Sequence, residues 1–247
     1  MDADINVEEN LVISTEIEDN KLSSLKWSKL LLFLLSFFGI AFVIGIIIGI
    51  VNIFIEKDLV ELLTTSYPAL ILDAIAFFTL FFIFKSVRQF SLKAIDFSVL
   101  RSKKTYLYIA LGFIIFLASQ YFFIYILKID DPLKQQNDLG VNQLSGTFEY
   151  ILYAFLIVLI VPIKEELLFR GILYRFFETK YPRYGFWIGL VISASIFGFL
   201  HVGVVASAIV MGLVFVMLFR LTKSLIPSML LHMIWNLYGI TLIFLSL

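Results

Sequence analysis

The chain has no cysteine, which excludes disulfides, thiolate metal sites and cysteine nucleophiles. Histidine is nearly absent, with two residues, and neither belongs to an H-E-x-x-H motif. Charge is scarce as well: Asp, Glu, Lys and Arg make up 15% of the residues and the formal net charge is zero. The basic residues are spread over connecting loops instead of forming one patch, so nothing draws the chain toward nucleic acid. No internal repeat or low-complexity segment interrupts it. What fills the sequence instead is apolar: 61% hydrophobic residues and a mean hydropathy of +0.99, far outside the range of soluble domains.

That composition predicts an all-α integral membrane protein embedded in the lipid bilayer. The apolar runs are long and unbroken, which favours helices over barrel strands. Residues 2–20 carry seven acidic side chains and no Lys or Arg, as expected of a solvated tail. Lys21, Lys26 and Lys29 then precede an apolar run from Leu30 to Ile55, long enough to span and therefore an uncleaved first helix instead of a signal peptide. Further spans are predicted at Tyr67 to Phe84, Tyr106 to Leu127, Tyr150 to Phe169, Phe186 to Leu200, Val204 to Phe219 and Leu225 to Phe244. The expected architecture is a polytopic bundle of about seven transmembrane helices with an intramembrane polar cavity. It divides into an acidic cytoplasmic tail over 1–26, N-terminal helices and loops over 27–149, and a C-terminal catalytic core over 150–247.

Fourteen of the nineteen Lys and Arg residues fall before the first span and in alternate connections: Lys85 to Lys104, Arg175 to Arg183, and Arg220 with Lys223. Cytoplasmic loops are enriched in such residues, so the N-terminus is expected in the cytoplasm of a multi-pass protein of the cell membrane. Lys57, Lys128 and Lys134 fall on the opposite side, and Lys164 and Arg170 lie within the fourth span.

Ionisable groups inside apolar spans are costly and usually mark function. The fourth span reads V-P-I-K-E-E-L-L-F-R-G, with Pro162 placed to kink it or to start a new helical stretch. Glu166 and Arg170 are four apart, acid first, the favourable order for an intrahelical ion pair. Glu165 points about 100° away and has no obvious cation nearby, which suits a general base. A bland alternative is that Lys164, Arg170 and both acids snorkel to water. His232 and Asn236 share a face of the seventh span, where an imidazole and an amide can donate to a developing oxyanion. Two histidines and a glutamate could also bind zinc, but the usual spacing is missing, and the expectation is no metal and no cofactor. Ser193, Ser195 and Ser207 read as small residues for close packing or for bonding back to the backbone. The sequence leaves open what Asp73 does inside the second span.

Three ordered elements carry a resemblance: E-E-L-L-F-R-G-I-L-Y at Glu165 to Tyr174, S-A-S-I-F-G-F-L-H at Ser193 to His201, and P-S-M-L-L-H-M-I-W-N at Pro227 to Asn236. Together they resemble the CAAX protease and bacteriocin-processing family, also called Abi, related to Rce-type prenyl-protein endopeptidases. The resemblance implies a metal-independent intramembrane glutamic protease. By carry-over, Glu165 and His201 would activate water, His232 and Asn236 would stabilise the oxyanion, and Glu166 with Arg170 would form a supporting ion pair. The expected substrate is a membrane-associated or lipidated protein or peptide, entering laterally or from the cytoplasm. Abundant Ile, Phe and Lys suit a low-GC bacterium, where a secreted-peptide precursor or regulatory membrane protein is the expected target. The competing functions are a non-proteolytic immunity or scaffold protein that keeps the fold and uses the cavity for binding and, further off, a transporter that uses the intramembrane acids for proton relay.

One tension follows from geometry. At 1.5 Å per residue, Glu165 lies roughly 22 Å from the outer start of its span and His201 roughly 22 Å from the inner start of the fifth. In a core of about 30 Å these depths disagree, unless spans five and six tilt or the turn at His201 to Gly203 dips inward; catalytic depth is then expected nearer the cytoplasmic side, set by Glu165 and His232.

Overall fold

The computed structural model describes residues 25–54 and 65–246; the acidic tail, Lys21, Ile55, Lys57 and Leu247 lie outside them. All regular structure among the described residues is helical. α1 spans Trp27–Phe54, α2 Ser66–Ile83 and α3 Lys85–Leu92, and α4 spans Lys103–Tyr121 and continues through a wide turn at Phe122–Ile126. α5 spans Pro132–Asp138. α6 runs without a break from Thr147 to Lys180, alternating ordinary turns (Thr147–Phe155, Val161–Glu166, Arg175–Lys180) with wide π-type turns (Leu156–Ile160, Leu167–Tyr174). α7 (Gly185–Phe199), α8 (Val205–Thr222) and α9 (Ile226–Ser246) complete the bundle.

Five of these helices, α1, α2, α4, α8 and α9, are long and apolar enough to cross a membrane, which makes this a multi-pass membrane protein. The other two expected spans fall on α6, which carries the charged motif, and on α7, an apolar helix of 15 residues. Outward faces are apolar, as a lipid solvent requires: Phe42, Phe82, Ile114, Trp187 and Phe199 are all exposed.

α6 is longer than its sequence suggests because it continues beyond Phe169 to Lys180, past the apolar run that marked it. At its far end it meets the other short connections. Trp27 packs edge-on to Phe176, with ring centroids 4.6 Å apart, and Arg175 bonds the Phe90 carbonyl of α3. Leu225 N donates to Ala94 O at 2.8 Å, and Arg220 and Lys223 approach Glu178. This is the basic end of the bundle.

The opposite end is built differently. The connection after α4 folds back so that Asp131 N donates to Gly203 O at 2.6 Å. Asp130, buried, accepts from Ala206 N at 3.1 Å, Ser207 N at 2.8 Å and Ser207 Oγ at 2.5 Å. A buried carboxylate of this kind satisfies the orphan amides that open a helix, here those of α8. α5, started by Asp131 as its N-cap and Pro132 in its first turn, then lies over the turn between α7 and α8. Gly203, with φ 87°, is required there: a Cβ would meet the backbone of Asp131 and Gln135.

Close packing of α7 on α8 depends on a second glycine. Gly212 abuts Ala194, whose Cα would lie 2.8 Å from an added Cβ. Small residues at such contacts let apolar helices approach without a hydrophobic driving force. Ser193 behaves as expected, its Oγ donating to Phe169 O of α6 at 3.1 Å, whereas Ser207 serves the Asp130 clasp.

Candidate active site

The site is assembled from α6, the end of α7, and α9. In α6, Pro162 removes a backbone donor and crowds the carbonyl one turn earlier, and the wide turn at Leu156–Ile160 directly precedes it. Wide turns of this kind are frequent at functional sites. A second one, Leu167–Tyr174, holds Arg170 with every residue buried.

Glu166 and Arg170 form the pair that their spacing predicts, Nη1 to Oε1 at 2.9 Å, with both side chains inaccessible. Snorkelling is therefore overturned for these residues. Arg170 Nη2 also donates to Gly212 O at 3.2 Å. The guanidinium lies 4.5 Å and 4.7 Å from the ring centroids of Phe197 and Phe215, aromatic faces that offset part of its desolvation. Glu166 has a further partner that sequence reasoning missed: His232 Nδ1 lies 3.1 Å from the same Oε1.

Glu165 does not lack a cation, contrary to the sequence reading. Lys164 is buried, and its Nζ lies 4.0 Å from Glu165 Oε1 while bonding to Asp73 of α2. A helix turns adjacent residues apart, but the four-carbon lysine stem brings the charge back across that angle. This also gives Asp73 its role, as the counter-charge that holds Lys164. Glu165 Oε2 lies 3.9 Å from His232 Nε2, beyond hydrogen-bond distance. The atom is buried with no hydrogen-bond partner.

His201 follows the last turn of α7, and its Nδ1 lies 2.7 Å from Phe197 O. A carbonyl can only accept, so Nδ1 carries a proton, and in the neutral ring Nε2 is the basic nitrogen. Its ring packs on Phe197 with centroids 4.3 Å apart, and Phe215 stacks on His232 at 4.8 Å. Phe197 thus contacts the Arg170 guanidinium and His201 at once, a role that no local spacing announces.

Asn236 does share a helix face with His232, but its Nδ2 donates to Ile157 O at 2.8 Å. That carbonyl lies within the wide turn of α6. One amide hydrogen remains for another acceptor.

The depth conflict resolves through α7. Gly189 abuts Tyr174 and Ser193 bonds Phe169 O, so α7 runs antiparallel to the basic-end half of α6. It ends near the level of Glu165, and the His201 to Gly203 turn dips inward beneath α5. A cavity of about 270 Å³ joins the pieces. Lys164, Glu165, His201, His232 and Asn236 all line it, among apolar walls. From Glu165 it extends away from the basic end, where Gln120, Gln135 and Asp138 contribute its wall. Among the described residues, no three His, Cys, Asp or Glu side chains come together as a metal site.

Residues 147–238 match the family model described as type II CAAX prenyl endopeptidase Rce1-like. The matched stretch begins with α6 and contains all six residues singled out above: Glu165, Glu166, Arg170, His201, His232 and Asn236. No curated protein and no solved structure matches the chain.

Proposed function

We propose that the chain, whose residues 147–238 match the model of Rce1-like type II CAAX prenyl endopeptidases, is a member of that family of proteases and acts as a metal-independent glutamic endopeptidase of the membrane. Its substrate is a membrane-associated or lipidated protein or peptide precursor. Glu165 and His201 activate a water molecule: the base takes one proton, and the resulting hydroxide adds to the scissile carbonyl. Charge develops on the carbonyl oxygen, where the remaining Asn236 N–H donates. The proton held by the base then passes to the leaving amine as the carbon–nitrogen bond breaks.

His232 serves this chemistry from a constrained position. With Nδ1–H donated to Glu166, the neutral ring has a bare Nε2. It can donate toward the oxyanion only as imidazolium, a charge that Glu166 on one side and Glu165 on the other would balance. Glu166 and Arg170 take no part in bond making; they fix the His232 ring and the α6 backbone behind Glu165.

One observation carries this reading: Glu165, His201, His232 and Asn236, from three separate helical segments, line a single cavity, and Glu165 has a buried oxygen with no hydrogen-bond partner. The test is Glu165→Gln in purified protein, assayed on a peptide cleaved by the wild type. Loss of a general base should lower turnover by at least about 10²-fold while the protein keeps its folding profile. Near-normal turnover would remove Glu165 from the mechanism.

A further inference from the structure

The two ends of this bundle differ in charge, and the cavity belongs to one of them. Among the described residues, Lys85, Arg88, Lys93, Arg101, Lys103 and Lys104 lie at the end where α3, the start of α9 and the last turns of α6 meet, as do Arg175, Lys180, Arg183, Arg220 and Lys223. The contacts of Arg175 with Phe90, of Arg220 with Glu178, and of Leu225 with Ala94 fix that grouping. The other end carries Asp130, Asp131, Asp138 and Glu149 against Lys128 and Lys134. A helical membrane protein keeps its Lys- and Arg-rich connections in the cytoplasm, so this second end faces outward.

The cavity wall runs from Glu165 to this outward end. There it is lined by Gln120 at the end of α4 and by Gln135 and Asp138 of α5, and Asp138 is exposed. Toward the basic end the space closes behind the buried Glu166–Arg170 pair and the rings of Phe197 and Phe215.

We propose that the cavity opens to the extracytoplasmic side, and that its substrate is an extended segment of a membrane-anchored or exported peptide presented there, not a C-terminus approaching from the cytosol. The rim supplies amide and carboxylate groups, Gln120, Gln135 and Asp138, that can hydrogen-bond an extended backbone. The apolar walls, including Val161, Met211 and Ile240, take apolar side chains. The substrate assignment rests on the proteolytic reading given above; the direction of opening does not.

The natural absence of cysteine makes the test direct. Single substitutions Asn137→Cys and Asp138→Cys, at the cavity end, and Arg101→Cys and Arg183→Cys, at the basic end, place one thiol each at exposed positions. A membrane-impermeant maleimide applied to intact cells should label positions 137 and 138 to the level reached after permeabilisation, and leave 101 and 183 near background. The reverse pattern overturns the proposal. The substrate is read from peptides in the culture medium. Fragments that disappear in Glu165→Gln cells should also disappear when Asp138→Cys cells are treated with a bulky impermeant maleimide. If those fragments persist with position 138 labelled, access is not through this opening and the inference fails. If no fragment depends on Glu165, the proteolytic reading falls, and with it the substrate named here, while the labelling still decides the direction of opening.

Discussion

Replacing Arg170 by methionine tests whether the charged centre of α6 is a structural pair or a set of groups in contact with water. The substitution keeps an unbranched apolar stem but removes Nη1 from Glu166, Nη2 from Gly212 O and the charge from the faces of Phe197 and Phe215. Both partners of the pair are inaccessible, so Glu166 would be left as a buried charge with His232 as its remaining contact. Breaking a buried pair from one side typically costs about 3–5 kcal/mol. The bond to Gly212 O, at about 1 kcal/mol, is part of the same network and should not be added separately. On the scale of globular proteins of this size, about 2–4 °C per kcal/mol, the midpoint in detergent should fall by roughly 6–20 °C. Arg170→Lys should recover little, because one ammonium cannot reach the carboxylate and the carbonyl with a planar fork. The decisive arm is Glu166→Gln combined with Arg170→Met, which removes the stranded charge and should be more stable than Arg170→Met alone. An unchanged midpoint for Arg170→Met, or strictly additive losses in the double variant, would refute the buried pair.

Other consequences are open to simpler measurements. Peptide cleavage should survive treatment with EDTA and phenanthroline; loss on chelation with recovery on adding zinc would recast Glu165, His201 and His232 as metal ligands. Asn236→Ala should cost about 10²–10³ in turnover with little change in KM, as for removal of an oxyanion donor; a rise in KM alone would instead make it a substrate-binding residue. Gly212→Val should lower the midpoint by forcing α8 away from Ala194, with an overpacking cost of about 1–3 kcal/mol, and a neutral result would show that the α7–α8 contact is slack. Asp73→Asn should lower turnover more than stability, because Asp73 is partly exposed yet positions the Lys164 charge beside Glu165; equal loss of both would give it a purely structural role.

The sequence made some of this legible and hid the rest for a physical reason. Interactions encoded within one helical turn could be read directly: the Glu166–Arg170 pair follows from a spacing of four, and the long apolar helices follow from composition. Contacts between distant segments had no such signature. Lys164 meets Asp73 across 91 positions and His232 meets Glu166 across 66, so Glu165 looked free of cations and His232 looked free to serve an oxyanion alone. The wide turns of α6 were equally hidden, since an apolar run gives no sign of whether its backbone bonds span four residues or five. Asp130 carried no local signal at all, because the amides it satisfies belong to a helix that begins 75 residues later.

The shortness of α7 bears on the surrounding lipid as well as on the protein. Fifteen residues rise about 22 Å, against a hydrocarbon core of about 30 Å, and the outward side chains Trp187, Val191, Phe199 and Leu200 are exposed along that length. Acyl chains against this flank must shorten or tilt to match it, at a cost of fractions of a kcal/mol per Å. Local thinning of the bilayer along α7 would relieve that mismatch. A peptide leaving lipid there exchanges less hydrocarbon for protein than anywhere else along the perimeter, and cleavage in bilayers of graded acyl-chain length should slow as the chains grow longer.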